Sequence, residues 1–420
     1  MIIEFNVSNF RSIHKKQTFS MVSSTSTDLE DNLCISDCDA KFRLVRAAVI
    51  YGANAAGKSN LLRALLFMRG FIIASAKESQ QGEKIPINSF SFNKSSYNQP
   101  SELEITFIKN KTRYQYGFII DENHIFEEWL FAYPAGRAQQ WFSRVYDQIE
   151  KKYSWKFSKF FKGGRQVVDL TRDNVLFLSN AVKLNNEQLA LVFDWFQKDL
   201  VLIDSPSGRG LSYKENTELL KTEEGKNRLL QFMHAADPSI ADINLELKKL
   251  NEEKMRFPDS MPQEVQNYLK KEIMNQDQFK ISFTHSGSIP LNLDDESEGT
   301  YRLLAYAGRW MDALDNGRTL IVDELDNSLH PLVVRFLIKL IFNPEINKKN
   351  AQLIFSTHDT SLLDNELFRR DQVWFVEKDK DNSTQLYPLL DFSPRKQEAI
   401  GRGYLLGRYG ALPYIGEWRF

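Results

Sequence analysis

The sequence predicts an α/β fold with a parallel sheet, and three observations carry that expectation. The stretch Gly52-Ala-Asn-Ala-Ala-Gly57-Lys58-Ser59 stands between a short apolar run and a segment of helical spacing. Thr319-Leu-Ile-Val-Asp323-Glu324 is an apolar strand ending in two carboxylates. Beyond residue 279 strand and helix patterns alternate, as they do when a parallel sheet is covered on both faces.

The elements follow in order. Ile3, Phe5 and Val7 alternate with polar residues and predict a half-buried strand. Residues 23–41 are rich in Ser, Thr and Asp and predict a loop or small excursion. Residues 44–50 form a mostly apolar run, as expected of a strand buried on both faces. Residues 60–74 have helical spacing, with Leu61, Leu62, Leu65, Leu66 and Met68 toward one side. A polar stretch at 75–101 leads into alternating β-hairpin patterns from 102 to about 162. Helical segments dominate 185–250, notably 187–200 and 218–234, and another helix is expected over 263–274. Then come a strand at 279–284, a helix at 298–314, a strand at 320–323, a helix at 332–341, and strands at 352–356 and 372–377.

Composition bounds the classes of function. The 420 residues are 42% hydrophobic and 26% charged, with 20 Gly and 13 Pro, which excludes a collagen-like or wholly disordered chain. Lys and Arg total 54 against 55 Asp and Glu, so a uniformly basic coat is excluded while a local basic patch is not. No apolar run approaches the roughly 20 residues that span a bilayer, and the first residues lack a signal-peptide pattern, so no membrane association is expected. Cys34 and Cys38 make neither a disulfide framework nor a zinc site. A cytoplasmic protein with reduced thiols is the expectation.

The chemistry lies in three motifs. Gly52 to Ser59 is a complete G-x-x-x-x-G-K-[ST] phosphate loop, in which Gly52, Asn54, Ala55, Ala56 and Gly57 wrap the anion and Lys58, Ser59 and Asn60 open the helix behind it. Successive backbone N–H groups and the helix N-terminus favour negative charge there. Lys58 is placed to reach the β- and γ-phosphates and Ser59 to ligate Mg²⁺. At the end of the 320–323 strand, Asp323 is assigned to Mg²⁺ through water and Glu324 to the attacking water as general base. Phe355-Ser-Thr-His358-Asp359 closes the next strand, whose end should lie beside the same phosphate, so that His358 can sense the γ-phosphate.

These residues resemble the ABC-type ATPase superfamily, whose nucleotide is ATP with Mg²⁺. Asp295-Glu-Ser297-Glu-Gly299-Thr300 is similar to the signature motif, which caps the γ-phosphate of a nucleotide held by the opposite subunit; Ser297 and Gly299 are its site residues. Leu325-Asp326-Asn-Ser-Leu-His330-Pro331 resembles the D-loop and His358 matches the switch histidine. Asn9-Phe10-Arg11-Ser12 resembles the N-terminal motif of recombination- and repair-type members, which implies that Arg11 approaches the phosphates. No glutamine takes a clear Q-loop place; Gln80, Gln81 and Gln99 lie at a suitable distance. The Ser-Glu-Gly signature and the tail, 369–378 and 403–413, are similar to the bacterial AAA branch of ABC-type ATPases linked to phage defence. That branch includes abortive-infection, RloA-like and PARIS-type ATPases and relatives of the overcoming-lysogenisation-defect nucleases. The last carry a C-terminal Toprim nuclease, for which these 420 residues leave no room; Glu377, Asp379 and Asp381 are expected on an exposed hairpin.

The resemblance implies an ATPase head split across both ends of the chain, since 265 positions separate Lys58 from Asp323. The head takes 1–120 and 280–420, and 121–279 is an inserted β-hairpin and helical region. It further implies a homodimer or higher even-numbered homo-oligomer, with two chains head-to-tail completing two ATP sites, and a separate effector that is nuclease- or toxin-like. The alternative is a DNA-repair or chromosome-maintenance ATPase that clamps DNA directly, disfavoured because the insertion lacks a long heptad pattern. A transporter ATPase ranks third. Lys151, Lys152, Lys156, Lys159, Lys162, Arg165 and Arg172, interleaved with Tyr153, Trp155, Phe157, Phe160 and Phe161, suit nucleic acid or an acidic partner. A hairpin with one wet face has the same composition.

Overall fold

The computed structural model describes residues 1–36, 38–92, 99–203, 214–247, 261–263, 265–266, 279–287, 289–396 and 398–413. The chain forms two compact units. The first comprises Met1–Pro206, Ala313–Asn327 and Pro331–Phe420, the second Ser207–Asp312 and Ser328–His330.

In the first unit the helix α1 (Lys58–Glu78) shares one apolar core with two sheets. One sheet is antiparallel and seven-stranded. Its strands are β1 (Ile2–Ser8), β2 (Gln17–Ser20), β6 (Ser101–Lys109), β7 (Thr112–Ile120), β8 (Ile125–Tyr133), β9 (Gln139–Asp147) and β10 (Lys152–Phe157), in the order β10-β9-β8-β7-β6-β1-β2. Alternation puts Phe5, Phe107, Tyr116, Phe118, Leu130 and Phe142 on its packed face. Against that face lie α2 (Phe177–Lys183), α3 (Glu187–Asp194) and a π turn, Trp195–Asp199, whose Trp195 stacks on Phe107 at 4.0 Å. A fully buried Glu128 on β8 ties this face together. It pairs with Arg144 at 3.1 Å and accepts from the Phe177 and Leu178 amides at the start of α2 and from the Tyr116 hydroxyl.

The other sheet is the parallel one. It contains β5 (Ala47–Gly52), β11 (Leu200–Ile203), β15 (Thr319–Val322), β16 (Gln352–Ser356) and β17 (Val373–Lys378), with β18 (Thr384–Pro388) antiparallel at the edge, in the order β11-β15-β16-β5-β17-β18. Every residue of β5, β15 and β16 is buried, as the apolar runs predict. A small hairpin, β3 (Leu33–Ser36) and β4 (Asp39–Val45), occupies part of the expected loop at 23–41. The run 44–50 is therefore two strands: between them the buried Arg46 donates to the carbonyls of Leu33 and Asn347, at 3.0 Å each. The helices α7 (Pro331–Phe342) and α8 (Ile400–Leu405) complete the unit. By length and composition α1 could cross a bilayer, and half of that stretch is buried inside the protein.

The second unit contains α4 (Lys214–Leu220), α5 (Glu223–His234) and a three-stranded antiparallel sheet, β12 (Ile240–Leu247), β13 (Phe279–His285) and β14 (Leu291–Asn292). The helix α6 (Glu298–Asn316) contributes residues 298–312 to this unit. The single helix expected at 218–234 is two, because the Thr222 hydroxyl caps α5 by accepting from the Gly225 amide at 3.1 Å. The helix expected at 263–274 lies largely outside the described residues.

Candidate functional site

The phosphate loop is held by close backbone packing. A Cβ at Gly52 would meet the Val376 carbonyl oxygen at 2.3 Å, so β5 and β17 can approach this closely only with glycine there. Gly57 ends the loop at φ 118°, and a Cβ on it would lie 2.1 Å from Thr384 Oγ1. With Ala55 also left-handed (φ 61°), the loop turns sharply into α1, whose first residue is Lys58. The buried Lys58 ammonium donates to the carbonyls of Gly52 (2.8 Å) and Ala53 (3.2 Å). Burial pulls it below the ordinary lysine value, and the carboxylates of Asp323, Glu324 and Asp326 oppose the shift.

The C-terminal ends of β15 and β16 carry the acidic group. Ser356 Oγ donates to Asp323 Oδ1 at 2.5 Å and accepts from the Glu324 amide at 2.8 Å, so one hydroxyl fixes both residues. Glu324 adopts φ 52°, a left-handed backbone unusual for glutamate and of the kind that clusters at functional positions. The backbone amide of His358 donates to Asp326 Oδ2 at 3.3 Å. Partial burial, then the Lys58 charge, lower the His358 pKa, while Asp326, Glu324 and Asp323 oppose them; a neutral imidazole is favoured. Ser59 and Asp323 line one small cavity with Arg63. A hydroxyl and a carboxylate are the hard oxygen donors that suit Mg²⁺, which takes few protein ligands and keeps several waters.

Lys58, Ser59, Glu324 and His358 meet in one cleft of about 1000 Å³ in the first unit, while Asp323 faces the small cavity it shares with Ser59. Of the residues expected from sequence, Arg11, Asn54, Ala55, Gly57, Lys58, Ser59, Asn60, Glu324 and His358 line the cleft. Ala56 is buried behind it, and Gly52 lies beneath Lys58. Arg11, at φ 50°, is fixed through its amide to the Asn88 carbonyl at 2.8 Å, and its buried Nε has no partner. Burial and the neighbouring Arg63 both lower its pKa, and the two guanidinium groups place positive charge in the cleft. The arrangement can bind a polyanion along the loop while presenting a carboxylate and a neutral imidazole to its far end.

Ser297 and Gly299 lie in the second unit. The exposed Ser297 accepts from the Thr300 amide at 3.0 Å, capping α6, and a Cβ at Gly299 would lie 3.1 Å from the Ser328 carbonyl. The residue before them is braced: Glu296 Oε1 contacts His285 Nε2 at 2.9 Å, and His285 Nδ1 contacts Ser239 Oγ at 2.9 Å. Ser239 donates to Asp237 Oδ1 at 2.6 Å, so its hydrogen is directed away from the ring and the row is a brace and not an activated nucleophile.

Glu377, Asp379 and Asp381 sit at the β17–β18 hairpin. Asp379 accepts from the amides of Asp381 and Ser383, and Glu377 from the Ala411 amide. Among the described residues no three His, Cys, Asp or Glu side chains gather as metal ligands. In the basic segment, Tyr153, Trp155 and Phe157 alternate onto the packed face against Phe177 and Arg144, leaving Lys152 and Lys156 on the exposed face.

Residues 47–364 match the profile of the family described as "AAA domain, putative AbiEii toxin, Type IV TA system". The chain belongs to this family. It is an ABC-like AAA protein of abortive-infection type, with the α/β P-loop fold of ABC-type ATPases. No curated protein sequence matches it. Among solved structures it is similar to an SMC head bound to the C-winged helix domain of ScpA (15% identity, 92% of this chain and 96% of that one, TM-score 0.43). It is similar also to the SMC head domain from Thermotoga maritima (12% identity, 92% and 98%, TM-score 0.40). A third is an Smc head domain with an extended coiled coil bound to the C-terminal domain of ScpA derived from Pyrococcus furiosus (15% identity, 93% and 97%, TM-score 0.43).

This AbiEii-type AAA cleft also contains residues that sequence reasoning did not assign, among them Ser12, Arg63, Asn88, Phe92 and Lys378. Arg63 had a signal, because it lies four residues after Ser59 and thus on the same helix face. Gln99 lines the cleft, whereas Gln80 and Gln81 are not in its walls. Phe92 and Lys378 come together from distant segments, with the Lys378 ammonium 5.6 Å from the ring centre.

Proposed function

We propose that this protein binds and hydrolyses ATP with Mg²⁺ in a site completed by a second copy of the chain, and that this cycle controls a separate effector in anti-phage defence. The observation that carries the reading is the meeting of Lys58, Ser59, Arg11, Glu324 and His358 in one cleft. In this reading the loop amides and Lys58 hold the β- and γ-phosphates, and Arg11 adds charge beside them. Glu324 takes the proton of the attacking water and neutral His358 hydrogen-bonds the γ-phosphate. Ser59 and Asp323 would hold Mg²⁺, which would neutralise charge on the phosphates. Ser297 and Gly299 of the opposite chain cap the γ-phosphate, so ATP holds the dimer and hydrolysis releases it.

Residues 1–120 and 280–420 form the ATPase head in this account, and 121–279 is the insertion available for partner recognition. The abortive-infection and toxin–antitoxin description of the family supports the defence setting; the separate effector, nuclease- or toxin-like, and the cytoplasmic location are part of the proposal. The test is Glu324→Gln: ATP binding is retained, Mg²⁺-dependent phosphate release falls at least a hundredfold, and ATP traps a dimer. Wild-type turnover in that variant contradicts the assignment.

A second reading, direct DNA clamping, is favoured by one observation. None of the seven cations between Lys151 and Arg172 forms an ion pair among the described residues.

A further inference from the structure

The hydrogen bonds behind the phosphate loop form one directed chain. Thr384 Oγ1 donates to the Ala56 carbonyl at 2.9 Å, so its hydrogen is committed. Its 2.7 Å contact with Ser12 Oγ must then be a bond donated by Ser12. Ser12 Oγ, its own hydrogen spent, accepts from Asn60 Nδ2 at 2.7 Å. The chain therefore runs Asn60 to Ser12 to Thr384 to Ala56, leaving the first turn of α1 and returning to the loop just before it. Ser12 and Thr384 are both buried and are 372 positions apart in sequence. A backbone bond from the Thr384 amide to the Ser12 carbonyl, 2.7 Å, locks the two to each other.

We propose that Ser12 and Thr384 are positioning residues that set the phosphate loop for nucleotide. This rests on the reading of the cleft as an ATP site. Thr384 holds the Ala56 carbonyl on the side away from the cleft. In a trans peptide the following N–H points the opposite way, so the Gly57 N–H is turned toward the phosphates. The Thr384 side chain also fills the hollow at Gly57, where a Cβ would stand 2.1 Å from its oxygen, which blocks the loop from relaxing backward. Ser12 follows Arg11 directly, so the same latch ties the arginine's turn to the loop it serves. Without the latch the Ala56 carbonyl is a buried acceptor with no donor, and the loop is free to rotate that peptide and withdraw the Gly57 N–H.

The experiment compares wild-type protein with Thr384→Val, Thr384→Ser, Ser12→Ala and the double variant Ser12→Ala/Thr384→Val. It uses titration calorimetry with MgATP, steady-state hydrolysis and a thermal melt for each. Thr384→Val keeps the shape and loses the hydroxyl; it should weaken MgATP binding about tenfold and raise KM with kcat within a factor of two. Thr384→Ser should restore affinity to within twofold of wild type. The double variant should bind no more weakly than the worse single one, because one chain has been broken twice. Unchanged MgATP affinity in Thr384→Val overturns the latch, as does a Thr384→Ser variant as weak as Thr384→Val. If Thr384→Val does not fold, Ser12→Ala decides by the same tenfold criterion. Wild-type protein that fails to bind MgATP overturns the ATP reading and the latch together, whereas a wild-type binder with unaffected variants overturns the latch alone.

Discussion

Lys58 is placed under two opposing demands. It must stay charged to hold phosphate, yet it is buried, and burial lowers its pKa from the ordinary lysine value of 10.5. The folded value lies below the unfolded one, so the stability linked to Lys58 is present above the unfolded pKa and is lost as pH falls through the folded pKa. While Lys58 is charged, the fold bears the cost of burying its ammonium, which the Gly52 and Ala53 carbonyls offset. ATP affinity followed from pH 7 upward should begin to fall before pH 10.5, and Lys58→Arg, whose guanidinium stays charged, should abolish that alkaline limb. A limb that persists unchanged in Lys58→Arg would assign it elsewhere. At this scale the loop, the Asp323-Glu324 pair and His358 were legible because each sits next to its partners in sequence or at the end of a recognisable strand. Ser12, Thr384 and Lys378 were not. Their partners lie across the fold, and the alternation around 384 reads simply as a hairpin strand.

The elements were legible where one face is uniformly apolar. The runs at 319–322 and 352–356 appear as the buried strands β15 and β16. Where helical spacing and strand pairing competed, local pattern misled: residues 240–247, within a stretch read as helical, form β12, because β13 supplies an antiparallel partner more than thirty residues away. The expected helix over 187–200 gives way after Asp194 to a π turn and then to β11, which pairs with β15. In β10 the alternation settles where the aromatics go but not what the lysines meet. With Tyr153, Trp155 and Phe157 half-buried on the packed face, phosphate contacts are the ones open to Lys152, Lys156 and, in the turn after the strand, Lys159. If this strand and the turn after it bind duplex DNA, replacing those three lysines with glutamine should weaken binding equally across sequences. It should also reduce the log–log salt slope by about 3. An unchanged slope removes β10 from any nucleic-acid surface.

At the scale of the molecule, the ATPase machinery comes from both ends of the chain. The phosphate loop follows β5, the carboxylates follow β15, and β17 and β18 brace the loop from behind. Lys58 and Asp323 are 265 positions apart in sequence. What was not legible is that β6 to β10 extend a sheet begun by β1 and β2, since each of those pairings is decided by register across the fold. In the proposed head-to-tail dimer, each ATP site takes its phosphate loop from one chain and its Ser297–Gly299 segment from another. Mixing complementation tests it most directly: Lys58→Ala and Gly299→Asp proteins are assayed for ATP hydrolysis alone and as an equimolar mixture. Each alone should be inactive. The mixture should recover about a quarter of wild-type activity, because half the dimers are mixed and each of those has one intact site of two. A mixture as inactive as its components would contradict the account.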